Sequence, residues 1–397
     1  MSTTTAANVQ SQQRVSSRSR RLDLRERLGW LAVRGTLIFL IIIWTIPTFG
    51  LLVSSFRDKN QLLSSGWWSS FQSTSRTITN GTLGAEAQQE IDGEWVIQGN
   101  IFPEDTNGTV EAYGFSALRG PDTPVDEVGE TRDGFTFSLE ANGDYTMTSP
   151  EPFPEDMRSQ QVSFTAEFPP RWTLENYDEV LNAAGIGDSF VNTAIVAIPA
   201  TIIPIALAAF ASYAFAWMQF PGRLWFLIIV VGLLVVPLQL SLIPILKLYN
   251  QFQLRGEFPA LWLAHTGFGL PLAIYLLYNY ISQLPRDIIE SAQIDGASHF
   301  DIFTRLIVPL SVPALAAFAI FQFLWVWNDF LVALVFLGTT SGEQVLTMNI
   351  NALNGSRGEE WHIMTSAAFV SMIVPLLVFF SLQRYFVRGL TAGSVKG

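Results

Sequence analysis

Six apolar stretches, each about as long as a membrane span, constrain this chain more than any other feature. They run Gly35–Phe56, Phe190–Trp217, Leu224–Leu246, Phe258–Tyr280, Val312–Leu337 and Thr365–Leu382. About 20 apolar residues, rising about 1.5 Å each, cross the hydrocarbon core of a bilayer. Composition agrees. The chain is 49% hydrophobic and only 14% charged, whereas a soluble domain is about 25% charged. It lacks the polar surface of a soluble enzyme of 397 residues. The expected fold class is therefore an all-α polytopic membrane protein of six transmembrane helices.

Charge is partitioned rather than uniform. Residues 57–188 hold 23 of the 34 acids and seven of the 23 bases, a net −16. The remainder carries 11 acids and 16 bases, a net +5. This is a basic membrane protein with an acidic block inserted, not a nucleic-acid binder. The bases cluster as the positive-inside rule expects. Arg14, Arg18, Arg20, Arg21, Arg25, Arg27 and Arg34 precede span one, and Arg223 lies between spans two and three. Arg286 and Arg305 lie between four and five, and Arg384, Arg388 and Lys396 follow six. These segments alternate onto one face, read as cytoplasmic, with both termini inside.

The domain reading follows. Residues 1–30 are Ser/Thr/Gln/Arg-rich and expected to be disordered in the cytoplasm, and 31–56 is the first helix, kept as an anchor. Residues 57–171 are an acidic extracytoplasmic insertion. Residues 172–386 hold helices two to six with a loop at 284–310, and 387–397 is a cytoplasmic tail. In the insertion, short alternating runs at Trp95–Phe102, Phe135–Leu139 and Tyr145–Thr148 predict strands. Asn142-Gly143 between the last two predicts a hairpin with a type I′ turn. A small β-rich domain is the expectation, with a disordered loop as the other reading.

Chemistry is excluded more readily than it is found. With no cysteine there is no disulfide, thiolate or iron–sulfur site. His265, His299 and His362 are widely spaced, so no metal is expected. No Walker A loop occurs, so ATP hydrolysis is not expected of this chain. Asp329 is the one carboxylate inside a span. With Trp325 and Asn328 beside it, it is a candidate for the substrate path, against an interhelical hydrogen bond that only positions span five. His265 is read as a satisfied polar residue. Prolines 199, 204, 237, 244, 271 and 375 suggest bent helices around a path, or ordinary kinks.

The loop before span five reads ESAQIDGASHFDIFTRLIVP, Glu290–Pro309. It predicts a short helix, a turn at Gly296, and a second helix stopping at Pro309. Ile288, Ala292, Phe300, Phe303 and Leu306 make it too apolar for a free linker.

The spacing resembles the EAA loop of bacterial ABC import permeases, E-A-A-x3-G-x9-I-x-L-P, with Ser291, Leu306 and Val308 as mild departures. WTLENYDEVL before span two, WVWNDFLVAL in span five and the tail GLTAGSVKG resemble carbohydrate-uptake permeases. The last 30 or so residues look closest to those for α-glucosides. The resemblance covers roughly Arg27–Phe56 and Trp172–Gly397 and leaves out the acidic block.

What it implies is a permease subunit of an ATP-driven oligosaccharide importer in a bacterial inner membrane, itself not an enzyme. The implied partners are a sister permease, two ATPase subunits that bind ATP and Mg, and an extracytoplasmic sugar-binding protein. Glu290, Ser291, Ala292, Asp295, Gly296, Phe303 and Pro309 would couple to the ATPase, and Gly393, Ser394 and Lys396 would touch it. Asn349, Asn351, Asn354 and Arg357 would reach the binding protein from the external loop. Rival readings are a membrane-anchored sensor, for which six kinked spans are excessive, and a secondary transporter, which would need more buried acids.

Overall fold

The computed structural model describes residues 3–103, 106–115, 120–157, 159–183, 185–339, 343–356 and 360–391. Side chains at 3–26, 183, 354–356 and 386–391 fall outside that description. The chain forms two compact units, Met1–Trp172 and Thr173–Gly397.

The first unit opens with α1, Thr3–Ser55. The segment 1–30, expected to be disordered, is helical from Thr3. It has no glycine before Gly29 and no proline before Pro47 to stop it. Arg27–Ser55 is long and apolar enough to span. Arg57 then closes a turn into α2, Lys59–Ser64, by donating to the Ser65 and Gln61 carbonyls at 2.9 and 3.2 Å.

Nine strands follow among the described residues, so the helical membrane fold carries two sheets where the small β-rich insertion is expected. They are β1 Thr74–Gly81, β2 Gln89–Ile91, β3 Glu94–Asn100, β4 Thr109–Gly114, β5 Thr123–Pro124, β6 Gly129–Glu130, β7 Thr136–Leu139, β8 Asp144–Ser149 and β9 Gln161–Phe168. They form two antiparallel sheets, ordered β1-β9-β4-β5 and β2-β3-β8-β7-β6. Period-2 alternation gives each sheet one apolar face. Val110, Val162, Phe164 and Ala166 from one sheet share a core with Ile97, Phe137, Leu139 and Met147 from the other.

The β7–β8 hairpin forms where expected, with Leu139 opposite Tyr145. Its turn differs from the expected type I′. Only Gly143 has positive φ, and Gly143 N donates to Glu140 O at 2.9 Å, as in a type I turn closed by a glycine bulge. The turn with both central residues at positive φ is Asp92-Gly93, between β2 and β3.

The second unit is helical: α3 Glu175–Asp178, α4 Ile186–Trp217, α5 Arg223–Gly232, α6 Leu238–Gln251, α7 Phe258–Ile281, α8 Arg286–Ile294, α9 His299–Ile302, α10 Val308–Trp327, α11 Leu331–Leu337, α12 Leu346–Ser356 and α13 Trp361–Thr391. Over the described residues of the whole chain, five helices are long and apolar enough to span, and a sixth counts only as a bent pair. That pair is the expected span Leu224–Leu246, in which Pro237 and Pro244 are among the prolines read as suggesting bent helices. It breaks between Val235 and Leu238 with a bend of 102°, because Pro237 has no N–H to continue the ladder. Expected span five, Val312–Leu337, is also broken. Its helix stops at Trp327 and resumes at Leu331.

A proline leaves the carbonyl four residues earlier without its helical donor, and in lipid no water replaces it. Three such carbonyls are captured from neighbouring helices. Trp262 Nε1 donates to Ile195 O at 3.1 Å, below Pro199. Gln322 Nε2 donates to Ala200 O at 3.1 Å, below Pro204. Trp327 Nε1 donates to Ser371 O at 2.9 Å, below Pro375. The prolines thus tie α4 to α7 and α10, and α10 to α13.

Candidate functional site

The loop 284–310 is a helical elbow. α8 ends in a Schellman turn. Gly296 N donates to Gln293 O and Ala297 N to Ala292 O, both at 3.0 Å, and Gly296 sits at φ +82°. An added Cβ there meets nothing within 4 Å, so backbone conformation, not crowding, demands glycine. Ser298 then caps α9 by accepting from Asp301 N at 3.2 Å.

The second helix does not stop at Pro309. α9 passes through a wide π-type turn, Phe303–Ile307, into α10, whose first turn holds Pro309. Pro309 follows directly on that wide turn, whose irregular hydrogen bonding accommodates a residue without an N–H. The segment 284–310 is therefore continuous with the span it precedes.

Its two faces differ. Ile289, Ile302, Phe303 and Ile307 are buried with Tyr213 of α4, Ile281 of α7 and Phe318 of α10. The Phe303 ring stacks on Phe210 at 4.3 Å, and Tyr213 Oη lies 2.9 Å from His299 Nδ1. On the other face Glu290, Ser291, Asp295, Gly296 and Pro309 are exposed, and Ala292 is half-buried. Ile288, Ile294 and Phe300 stand exposed among them, with Ile294 at 86%. Ser291 Oγ is spent on Asp287 O, one turn back, at 2.6 Å. The elbow presents a mixed apolar and acidic face and is wired to α4 on the other. His299 carries that wire, and the sequence reading gave it no role. Gly393, Ser394 and Lys396 lie outside the described residues.

The candidate path residues separate. Trp325 lines an apolar cavity of about 520 Å³ with Ser241, Tyr249, Phe268 and Pro271. Asn328 is exposed and donates back to Leu324 O at 2.8 Å. Asp329 is a joint. Its Oδ2 accepts from Val332 N and Ala333 N at 3.0 and 3.2 Å, capping α11. Its carbonyl accepts from Thr347 Oγ1 at 2.7 Å, and its Oδ2 lies 3.8 Å from His265 Nε2. His265 is not fully satisfied as expected: its buried Nδ1 has no hydrogen-bond partner.

The segment Gln344–Asn349, in the loop read as external, is stapled to the start of α4. Asn192 Nδ2 donates to Gln344 O at 3.1 Å, and Leu346 N to Thr193 Oγ1 at 2.8 Å. Asn349 Nδ2 donates to Ser189 Oγ at 3.0 Å, so this expected external hook is turned inward. Asn351 is exposed. Asn354 lies in α12 with its side chain outside the described set, and Arg357 lies outside the described residues.

Proline-bent spans, an unwound joint inside one of them, and an amphipathic elbow continuous with it define a polytopic membrane permease. The chain belongs to the family of binding-protein-dependent transport system inner membrane components, whose pattern matches residues 189–392. It is an ABC importer permease. Among curated relatives it is 54% identical to the alpha-glucoside transport system permease protein AglG of Rhizobium meliloti, over 94% of this chain and 98% of that one. It is 62% identical to the osmoprotective compounds uptake permease protein GgtD of Synechocystis, over 56% of this chain and 75% of that one. A solved bacterial ABC transporter involved in alginate import is 14% identical over 54% of this chain and 84% of that one, with a TM-score of 0.46. The first similarity leaves only 6% of the chain unmatched, less than the length of 57–171. The acidic block is therefore shared with that relative, although the motifs pointed only to the flanking segments.

Proposed function

We propose that this chain is one of two permease subunits of an ABC importer for α-glucosides, with a sister permease, two ATPase subunits and an extracytoplasmic binding protein. The carrying observation is the 54% identity to an alpha-glucoside permease along nearly the whole length of both chains, acidic block included. ATP and Mg bind the ATPase partners, and this chain supplies path and lever. Both termini are cytoplasmic, the elbow faces the ATPases, and the β-rich insertion faces outward.

Closure of the ATPase pair would press on the face holding Ile288, Glu290, Ile294 and Phe300. The movement passes through His299 and Phe303 to Tyr213 and Phe210 on α4, and through the π-turn directly into α10. Because α4 carries Ser189, Asn192 and Thr193, it delivers the movement to the external loop that offers Asn351 to the binding protein. Trp325 is the path residue kept from the expected set. Asp329 positions the break in span five.

The test is uptake of labelled maltose, trehalose and sucrose into proteoliposomes holding the assembled complex, ATP and binding protein. ATP-dependent uptake of at least one is expected, and uptake of none overturns the substrate assignment. Osmoprotective compounds are the second reading. It is favoured by the higher identity, 62%, to GgtD over the shorter matched part, and the same assay with those solutes decides it.

A further inference from the structure

The first unit contains a polar cavity that the lever and path described above do not use. It is about 560 Å³ and is walled by the start of α2 (Asp58, Asn60 and Gln61), by Arg76 of β1, by Thr106 and Asn107, and by the run Phe168–Arg171 after β9. Its volume falls within the range of small-molecule sites, about 300–1,000 Å³.

The wall is pre-built. Gln61 Nε2 donates to Pro169 O at 2.6 Å, and Arg171 N donates to Gln61 Oε1 at 3.1 Å. The amide thereby clamps the Pro169-Pro170 run against α2. Asp58 accepts from Asn60 N at 2.9 Å and lies 3.9 Å from Arg171 Nη1. The Arg76 guanidinium carbon lies over the Phe168 ring, 4.3 Å from its centroid. Its buried Nε has no hydrogen-bond partner. Burial pulls Arg76 below its ordinary range while Asp58 pushes it back up. A buried donor without an acceptor is unfavourable, and the Arg76 Nε is one that its own chain does not satisfy.

The chemistry narrows the ligand. A phosphate or carboxylate would meet Arg76 and Arg171 but also the Asp58 carboxylate, which repels it. A cation would meet the two guanidiniums. Hydroxyl groups suit the mixture, because each both donates and accepts: to Asp58 on one side, from guanidinium and amide N–H on the other. Pro169 and Pro170 add apolar ring faces for the C–H side of a pyranose. We propose that this cavity is a carbohydrate subsite, taking a glycosyl unit of a neutral oligosaccharide. It would make the acidic insertion a sugar-contacting module, and it rests on the importer reading above.

The test uses the assembled transporter in nanodiscs without its soluble binding protein, and radiolabelled maltose, trehalose and sucrose as probes. Wild type should retain one of them, and Arg76→Ala should weaken retention about tenfold, the cost of about one charge-assisted bond. Since Arg76 also packs on Phe168, the surface pair Asn60→Ala and Asn107→Ala is the second variant, expected to weaken retention without lowering thermal stability. Equal retention by wild type and the Asn60/Asn107 pair overturns the proposal. So does retention lost on adding phosphatidylglycerol, which would mark a lipid headgroup site. If proteoliposomes import a probe that the wild-type nanodisc complex does not retain, the subsite fails and the importer reading stands. If none is imported, the importer reading fails first.

Discussion

Trp327 Nε1 donates to the Ser371 carbonyl at 2.9 Å, the carbonyl that Pro375 leaves without a helical donor. Trp327 is buried, so no water can take its place. Trp327→Phe should destabilise the complex by about 1–2 kcal/mol, the range for polar contacts between membrane helices. Pro375→Ala restores the missing N–H, so adding it to Trp327→Phe should recover most of the loss. Thermal unfolding of the four variants in a double-mutant cycle measures this. Additive losses would contradict it.

Such ties show where the sequence was legible. A proline at position n announces an orphan carbonyl at n−4, which is local arithmetic. Which side chain answers it depends on packing between helices far apart in sequence, so Trp262, Gln322 and Trp327 could not be named in advance. The same division holds elsewhere. Gly296 was legible because a helix-ending turn needs positive φ, whereas the Tyr213–His299 contact joins residues of two separate helices. Asp92-Gly93 carries the same turn signal and takes both residues to positive φ, while Asn142-Gly143 adopts a different turn because register places a bulge there. The helix continues through Pro309 because the wide turn Phe303–Ile307 just before it accommodates the missing N–H, a feature that spacing alone does not announce.

Tyr213→Phe removes the hydroxyl that meets His299 Nδ1 and leaves the ring in place. If this contact carries movement from elbow to α4, uptake per ATP hydrolysed should fall several-fold with assembly intact. Parallel measurement of uptake and phosphate release checks it. An unchanged ratio would confine the contact to packing.

The external loop gives a paired prediction. Asn351→Lys alters an exposed residue and should weaken stimulation by the binding protein while leaving thermal stability within about 0.5 kcal/mol. Thr193→Val strips the acceptor of the Leu346 N–H and should cost about 1–3 kcal/mol. Excising Asn351–Ser356 would be a poorer test, because Leu353 within it is buried.

The net charge of −16 over residues 57–188 should steer a binding protein with a basic docking patch. Neutralising exposed Glu90, Glu94 and Glu140 by Gln should slow association at about 0.01 M salt, where the screening length is about 30 Å. It should matter little at 1 M, where it is about 3 Å. Stopped-flow association at both salts reads this out, and equal slowing at both would point to a lost contact instead.

The exposed face of the elbow is the proposed seat of the ATPase. Glu290→Lys reverses an exposed charge there. Gly296→Val forces a β-branched residue to φ +82°, a backbone strain of about 1–3 kcal/mol. The decisive measurement is ATP hydrolysis by the assembled complex, with and without binding protein and α-glucoside. Both variants should assemble and keep basal hydrolysis, yet lose most of the stimulation. Full stimulation in both would contradict the assignment of Glu290–Pro309 as the coupling element.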